Sequence, residues 1–164
     1  MKNFDWTCFT RRVAVKSTMA QMYNAWASAN EIEKWFLSKA IFKDSTGQKI
    51  DCFKNVEAGN TYDWNWYLYA ETESGKITKA NGKDLIEFTF AGNCLVEIKL
   101  SQLDEYIIVE LTQKNIPTDD ESKKGIRLGC DTGWSFYLVN LKSVYEGGLD
   151  LRNKEDKLKS MINS

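Results

Sequence analysis

The segment between residues 60 and 116 constrains the fold most, because apolar and polar side chains alternate along most of its length. In its first part Tyr62, Trp64 and Trp66 fall on one parity, with Asp63 and Asn65 between them. Similar alternation follows in three later stretches, residues 85–90, 96–100 and 107–113. A period of two is typical of strands with one buried face. Because the connections are short, the strands must be antiparallel neighbours.

Turn residues separate these strands. Asn81-Gly82 predicts a hairpin, and Gly92-Asn93 and Leu103-Asp104-Glu105 predict two more reversals. Ser74-Gly75 is also interpreted as a turn, followed by a short strand through Ile77. The only proline, Pro117, ends the last strand. The sequence therefore predicts an antiparallel meander.

One long helix is predicted after the meander, over residues 123–146. Its apolar stripe has helical spacing and consists of Trp134, Tyr137, Leu138, Leu141, Val144 and Tyr145. Gly147-Gly148 ends it. A twisted sheet with one apolar face needs a cover, and only this helix is long enough to lie across it.

The first part of the chain predicts a strand over residues 4–16 and then two short helices. Thr18 with Gln21 and Ser28 with Glu31 have the spacing of capping boxes. Residues 37–46 predict a weak strand, and residues 47–58 predict a polar loop. After Arg152, the spacing of Leu158, Met161 and Ile162 predicts a helical tail.

Bulk properties exclude several classes of protein. The chain has 164 residues and a formal charge of −1, so a single domain without a basic nucleic-acid surface is expected. No apolar run is long enough to predict a membrane span, and Met1–Asp5 does not resemble a signal peptide. The expected location is cytoplasmic. The four cysteines include no C-x-x-C pair and are predicted to remain free thiols.

Histidine is absent, which removes the commonest general base and the commonest metal ligand. The parities predicted to face inward contain no carboxylate, since Asp63, Glu87, Glu97 and Glu110 all fall on the outward parity. No catalytic residue, metal site or cofactor is therefore predicted.

Aromatic residues are abundant: six Trp, seven Tyr and eight Phe. Two interpretations stay open, because the rings can line a ligand cavity or simply fill the interior. The candidate ligand-binding residues are Trp35, Tyr62, Trp64, Trp66, Phe88, Phe90, Gln113, Trp134, Leu138 and Leu141.

Five residues with polar groups raise separate questions. Gln113 and Asn140 could hydrogen-bond a ligand, or Gln113 could lie at an exposed strand end. The Trp134 indole N–H needs an acceptor if it is buried. Asp150 and Arg152 are interpreted as a structural clasp, paired with each other or with helix-end carbonyls.

The element order is β-α-α-β followed by five strands and a helix, and it resembles the START-like, or helix-grip, superfamily. Within that superfamily the chain resembles the branch named after the activator of heat-shock protein 90 ATPase. The matching pieces are Ile32–Phe36, Ala58–Trp64, Gly75–Ile77, Leu85–Phe90, Gly133-Trp134, which is taken to open the long helix, and Asp150–Arg152. The resemblance covers nearly the whole chain. The aromatic third strand and the tail after Arg152 depart from the common pattern.

The resemblance implies an α+β helix-grip fold, with a curved antiparallel sheet of six to seven strands wrapped around the C-terminal helix. The domain is expected to span residues 1–152, with a tail at 153–164. Members of the superfamily commonly hold a hydrophobic molecule between sheet and helix, so the expected partner is a small hydrophobic or aromatic molecule.

Two other functions remain open. The first is a co-chaperone-like interaction module, with Tyr67 and Tyr69 as an exposed patch. The founding activators carry a further docking domain, for which this chain has no room. The second is a cyclase-like enzyme, with Tyr62 as proton donor. A homodimer is also possible.

Overall fold

A computed structural model describes residues 4–164 as one antiparallel sheet with helices on its inner face. The seven strands are β1 Phe9–Lys16, β2 Lys39–Lys43, β3 Thr61–Asn65, β4 Glu73–Ala80, β5 Leu85–Phe90, β6 Cys94–Leu103 and β7 Tyr106–Lys114. Their order is β1-β7-β6-β5-β4-β3-β2, and every neighbouring pair is antiparallel. The predicted helix-grip fold is confirmed.

The predicted turn at Ser74-Gly75 is wrong, because both residues lie inside β4. Tyr62 pairs with Gly75, and Trp64 pairs with Glu73. A Cβ atom on Gly75 would lie 2.5 Å from the Tyr62 hydroxyl oxygen. Glycine is therefore required here by the close approach of a ring and not by a reversal of the chain.

The reversal occurs earlier, between β3 and β4. β3 ends at Asn65, so the predicted alternation stops before Trp66, and Leu68 adopts a left-handed conformation with φ of 67°. This conformation is rare for a bulky residue. The Asn65 side-chain amide donates to the Thr72 hydroxyl at 2.8 Å and closes the base of the loop. Trp66 consequently lies on a loop and not on a strand.

Two short helices, α1 Met19–Ala27 and α2 Ala29–Ile32, follow β1. The capping box of Thr18 and Gln21 is confirmed, with each side chain bonded to the other residue's backbone N–H. The predicted box of Ser28 and Glu31 is wrong. The Ser28 hydroxyl instead donates to the Asn24 carbonyl at the end of α1.

The C-terminal helix begins earlier than predicted. It consists of α3 Asp120–Ser122, a π-helical stretch Lys123–Leu128 and α4 Gly129–Tyr145. Gly133-Trp134 therefore lies inside the helix and does not open it. Lys142 Nζ donates to the Ala14 carbonyl at 2.8 Å, and Glu146 accepts from the Lys16 N–H at 2.7 Å. Both contacts join the end of α4 to β1.

The segment after α4 forms the predicted clasp. Arg152 pairs with Asp150 at 2.8 Å and donates to the carbonyls of Glu33, Lys34 and Leu37. Burial acts to raise the Asp150 pKa, but hydrogen bonds from Arg152 and Lys154 outweigh it and hold that pKa well below its usual range. The clasp ties the C-terminal segment to the chain that follows α2.

The tail, residues 153–164, folds back on the clasp. It contains one short 3₁₀ turn, Asp156–Leu158, where a helix had been expected. The Asn153 N–H donates to the Asn163 carbonyl at 2.7 Å, and the Asn163 side chain donates to the Leu151 carbonyl at 2.8 Å. Within residues 4–164, no helix combines the length and the apolar character that crossing a membrane demands.

Candidate functional site

Most of the interior between the sheet and the helices is filled by aromatic side chains. Tyr62 and Trp64 stack with ring centroids 3.9 Å apart, and Phe88 meets Trp64 edge-on at 5.1 Å. All three are buried. Trp35 is also buried and donates from its indole N–H to the Ala25 carbonyl at 2.8 Å. These rings pack in the hydrophobic core and fill the space there.

A recess of about 210 Å³ lies beside this core, where the beginning of the C-terminal helix meets the sheet. We call it the aromatic recess; its walls are Phe36, Trp66, Phe90, Gly125, Gly129, Cys130, Gly133, Trp134 and Tyr137. The Phe36 ring lies 4.9 Å from Trp134, 5.4 Å from Trp66 and 4.8 Å from Tyr137, centroid to centroid. The recess is thus a largely apolar site that is bordered by ring faces and edges and partly open to solvent.

Three glycines form the helical wall of the recess. Gly125, Gly129 and Gly133 recur every four residues, which places them on one helix face. A Cβ atom would meet nothing within 4 Å at Gly125 or Gly133, and at Gly129 only the Lys124 carbonyl oxygen at 3.9 Å. Glycine destabilises a helix interior by roughly 0.5–1 kcal/mol relative to alanine. No packing contact of the protein therefore explains these three glycines.

Gln113 holds the Trp134 ring in place through a hydrogen bond to its indole N–H. The Trp134 indole N–H donates to Gln113 Oε1 at 3.0 Å, so the expected acceptor for this buried N–H exists. Gln113 is fully buried, and the interpretation as an exposed strand end is wrong. Its Nε2 finds no hydrogen-bond partner of good geometry among the described residues. It faces the thiols of Cys94 and Cys130, whose pKa values its N–H groups lower against the larger, raising effect of burial.

The polar groups on the walls are neutral at physiological pH. Burial raises the pKa of the Cys130 thiol to about 11. Burial also raises the pKa of Tyr137 to about 12, although the positive charge of Arg152 acts to lower it. Thiol and phenol both keep their protons, so the recess offers hydrogen-bond donors without formal charge.

The ten predicted ligand-binding residues separate into groups. Trp66, Phe90 and Trp134 line the recess, and Gln113 supports it. The other six, Trp35, Tyr62, Trp64, Phe88, Leu138 and Leu141, belong to the buried core and do not line the recess. Asn140, the other polar candidate, is buried and spans the clasp, donating to the Trp35 carbonyl at 2.6 Å and accepting from the Leu151 N–H at 2.7 Å.

The candidate ligand-binding residues did not include the glycine wall, Phe36, Cys130 or Tyr137, all of which line the recess. The four-residue spacing of Gly125, Gly129 and Gly133 was the available indication. The helix predicted over residues 123–146 contains all three glycines, but only its apolar stripe was used to place the site.

One carboxylate, that of Glu73, departs from the prediction that no carboxylate lies on the inner face of the sheet. Asp63, Glu87 and Glu110 make ion pairs on the outer face of the sheet. Glu73 shares the inner face with Trp64, because β4 extends through the predicted turn. It accepts from the Ala91 N–H at 2.7 Å and does not line the recess.

Tyr62 is poorly suited to donate a proton. Its hydroxyl donates to the Thr89 carbonyl, and burial raises its pKa far above the usual range. In the part of the chain from residue 4 onward, no cluster of three or more His, Cys, Asp or Glu side chains could hold a metal ion.

Comparison with known proteins identifies relatives of this fold. The family described as "Activator of Hsp90 ATPase homolog 1-like protein" matches residues 16–146. A search of curated proteins found no match.

Three solved structures illustrate the likeness. A protein from Staphylococcus saprophyticus has 21% identity and a TM-score of 0.71, with 88% of this chain and 96% of that chain covered. The Aha1 dimer from Colwellia psychrerythraea has 18% identity and a TM-score of 0.67, with 86% and 97% covered. An HSP90 activator from Plasmodium falciparum has 16% identity and a TM-score of 0.60, with 86% and 96% covered. At these identities the likeness concerns the fold.

Proposed function

Since this chain belongs to the activator of Hsp90 ATPase homolog 1-like family, we propose that it binds a small, flat, apolar molecule in the aromatic recess. The observation that carries the proposal is the glycine wall. Three helix positions are occupied by the residue that disfavours helices, and a side chain there would extend into open space. A bound ring provides the missing reason for glycine.

The volume of the recess indicates how large a part of a ligand it can hold. An apolar cavity of about 150 Å³ is known to accept benzene. At about 210 Å³ the recess suits a molecule of one or two fused rings. The neutral Cys130 and Tyr137 donors suit a ligand oxygen that accepts hydrogen bonds, and no formal charge is needed on the ligand.

Naphthalene is a suitable probe because it has two fused rings and no polar group. Titration followed by NMR should shift the indole N–H signals of Trp66 and Trp134, which mark the recess. The filling variant Gly133→Leu should abolish these shifts, because its side chain would occupy the same space. Thr132→Leu is the matched control, since Thr132 precedes Gly133 but lies on the exposed side of the helix.

Two outcomes would overturn the proposal: no shift of either indole signal at saturating naphthalene, or equal shifts in the wild type and Gly133→Leu.

Chaperone docking is a second candidate, favoured by the family's description and by the HSP90 activator among the similar structures. The dimer from Colwellia psychrerythraea makes self-association a related question. Native mass spectrometry of the chain, alone and with a purified heat-shock protein 90, distinguishes monomer, homodimer and complex. Absence of both assemblies at micromolar concentrations would eliminate this candidate.

A further inference from the structure

The C-terminal tail contacts the loop that carries one wall of the recess. Lys154 Nζ lies 4.9 Å from the centroid of the Tyr67 ring, and Lys159 Nζ lies 5.7 Å from that of Tyr69. The guanidinium of Arg152 lies 5.3 Å from the Tyr67 ring. These distances are within the range of cation–π attraction. The contacts of Lys154 with Tyr67 and of Lys159 with Tyr69 therefore attach the tail to the residues that follow Trp66.

The loop has few other attachments near its tip. The Asn65 side chain closes its base, and the Asn65 carbonyl accepts from the Ser38 N–H at 2.9 Å. Between Asn65 and Thr72, Leu68 has a left-handed backbone conformation that is unfavourable by itself, so other interactions must stabilise it. The Tyr67 and Tyr69 rings flank Leu68, so the tail stabilises the loop at its least favourable residue.

Trp66 transmits this restraint to the recess. Its ring centroid is 5.4 Å from that of Phe36 and 6.3 Å from that of Phe90, so Trp66 forms one wall of the recess together with these two rings. Asn153 and Asn163 fix the tail on its own segment through hydrogen bonds to the backbone. The tail is thus a folded element whose position bears on a binding wall.

We propose that the C-terminal tail is a strap that preorganises the Trp66 wall and thereby sets the affinity of the recess for its ligand. This inference rests on the proposed function for its consequence in binding, but the restraint on the loop exists without a ligand. Lys154 and Lys159 are positioning residues in this scheme, because they act through Tyr67, Tyr69 and Trp66.

The test compares the double variant Lys154→Met/Lys159→Met with the wild type. Methionine keeps the aliphatic length and removes the cation. Each cation–π contact of this kind corresponds to a factor of about two to five in an equilibrium constant. Loss of both contacts should therefore accelerate amide hydrogen exchange of residues 66–70 in the ligand-free protein at least about five-fold. Naphthalene should bind about five-fold more weakly, mainly through faster dissociation.

Two further variants make the comparison specific. Lys157→Met/Lys83→Met removes the same charge; Lys157 lies in the tail but pairs with Glu155, and Lys83 is an exposed residue on a distant turn. In this control variant neither the amide exchange of residues 66–70 nor the affinity for naphthalene should change. Lys159→Met alone leaves the Lys154–Asp150 ion pair intact and should accelerate exchange about two- to five-fold.

The two readouts separate the possible failures. Unchanged exchange in the double variant overturns the strap. Faster exchange with unchanged naphthalene affinity overturns its role in binding. If the wild type binds no naphthalene but exchange is faster in the double variant, the proposed function fails while the restraint on the loop stands.

Discussion

The inner face of the sheet has two aromatic regions, one in which the rings fill the core and one in which they line the recess. In the filled region, Trp64 lies among Tyr62 and Phe88 and is fully buried. In the recess, Trp66 lies two residues further along and is only partly buried. Both belong to one predicted parity, so their chemical identity does not account for the difference.

The elements that face the two rings account for part of the difference. Trp64 is covered by Phe36, with ring centroids 5.6 Å apart, and by Phe42, at 6.3 Å, so the interior closes there. On the recess side the helix presents Gly129 and Gly133, so space remains beside Trp66. An aromatic side chain thus becomes core or wall according to what the facing element supplies. This comparison yields five predictions.

The largest effect is expected from truncating the two tryptophans. Trp64→Ala should destabilise the protein by about 3–5 kcal/mol, because it leaves a cavity among packed rings. Trp66→Ala should cost about 1 kcal/mol, since its ring is already partly exposed, yet it should weaken naphthalene binding about ten-fold. Urea unfolding and NMR titration measure the two effects. Equal losses of stability would mean that the two regions do not differ.

The clasp should have the next largest effect, because it holds the segment that gives Trp35 to the core and Phe36 to the recess. Arg152→Met leaves Asp150 and three carbonyls without their buried cation, and we expect a loss of about 3 kcal/mol. Lys154→Met, which removes an exposed partner of the same carboxylate, is the control and should cost much less.

This loss should depend on pH in a defined direction. The folded-state pKa of Asp150 is depressed, so its contribution is fully present above the ordinary Asp pKa of about 3.9. It is lost as the pH falls through 4 toward the folded-state pKa. The stability gap between wild type and Arg152→Met should therefore narrow between pH 5 and pH 3. A constant gap over that range would assign the effect to the carbonyl contacts alone.

The sequence predicted the elements well where a single local rule operates. Alternation identified the meander, the Thr18–Gln21 pair identified a helix start, and the Asp150–Arg152 pair identified the clasp. These features depend on residues close in sequence. The partition of the rings into core and recess depends on which residues of distant elements lie across from each ring. Periodicity contains no information about that pairing.

Gly75 and Gln113 show the same limit in detail. Gly75 was interpreted through its common role in turns, whereas the Tyr62 ring, thirteen positions away in sequence, requires it inside a strand. Gln113 was correctly placed on the inward parity, but a polar residue near a strand end also fits an exposed position. Its burial is explained only by Trp134, which donates to it from the helix.

Gln113 lies at the boundary between the two regions and should have a moderate effect. Gln113→Leu removes the acceptor of the buried Trp134 N–H, and an unpaired buried donor costs about 1–3 kcal/mol. It also removes the Nε2 group that has no good partner, so the net loss should lie near 1 kcal/mol. In a Trp134→Phe background the same substitution should be close to neutral or stabilising, because no donor is left unpaired. Thermal unfolding of the four proteins in this cycle measures the coupling, and additive losses would contradict it.

The smallest effect has the opposite sign and bears most directly on the glycine wall. Gly133→Ala should stabilise the protein by roughly 0.5–1 kcal/mol, because alanine favours the helix and its Cβ meets nothing within 4 Å. Gly133 lines the recess, so we expect naphthalene affinity to fall as stability rises. Gly148→Ala is the contrasting substitution: its Cβ would lie 2.7 Å from the Ser143 hydroxyl oxygen and 2.8 Å from the Ser143 carbonyl oxygen, so it should destabilise without affecting the probe. A Gly133→Ala variant that gains stability and keeps full affinity would show that space along this helix face is not used for binding.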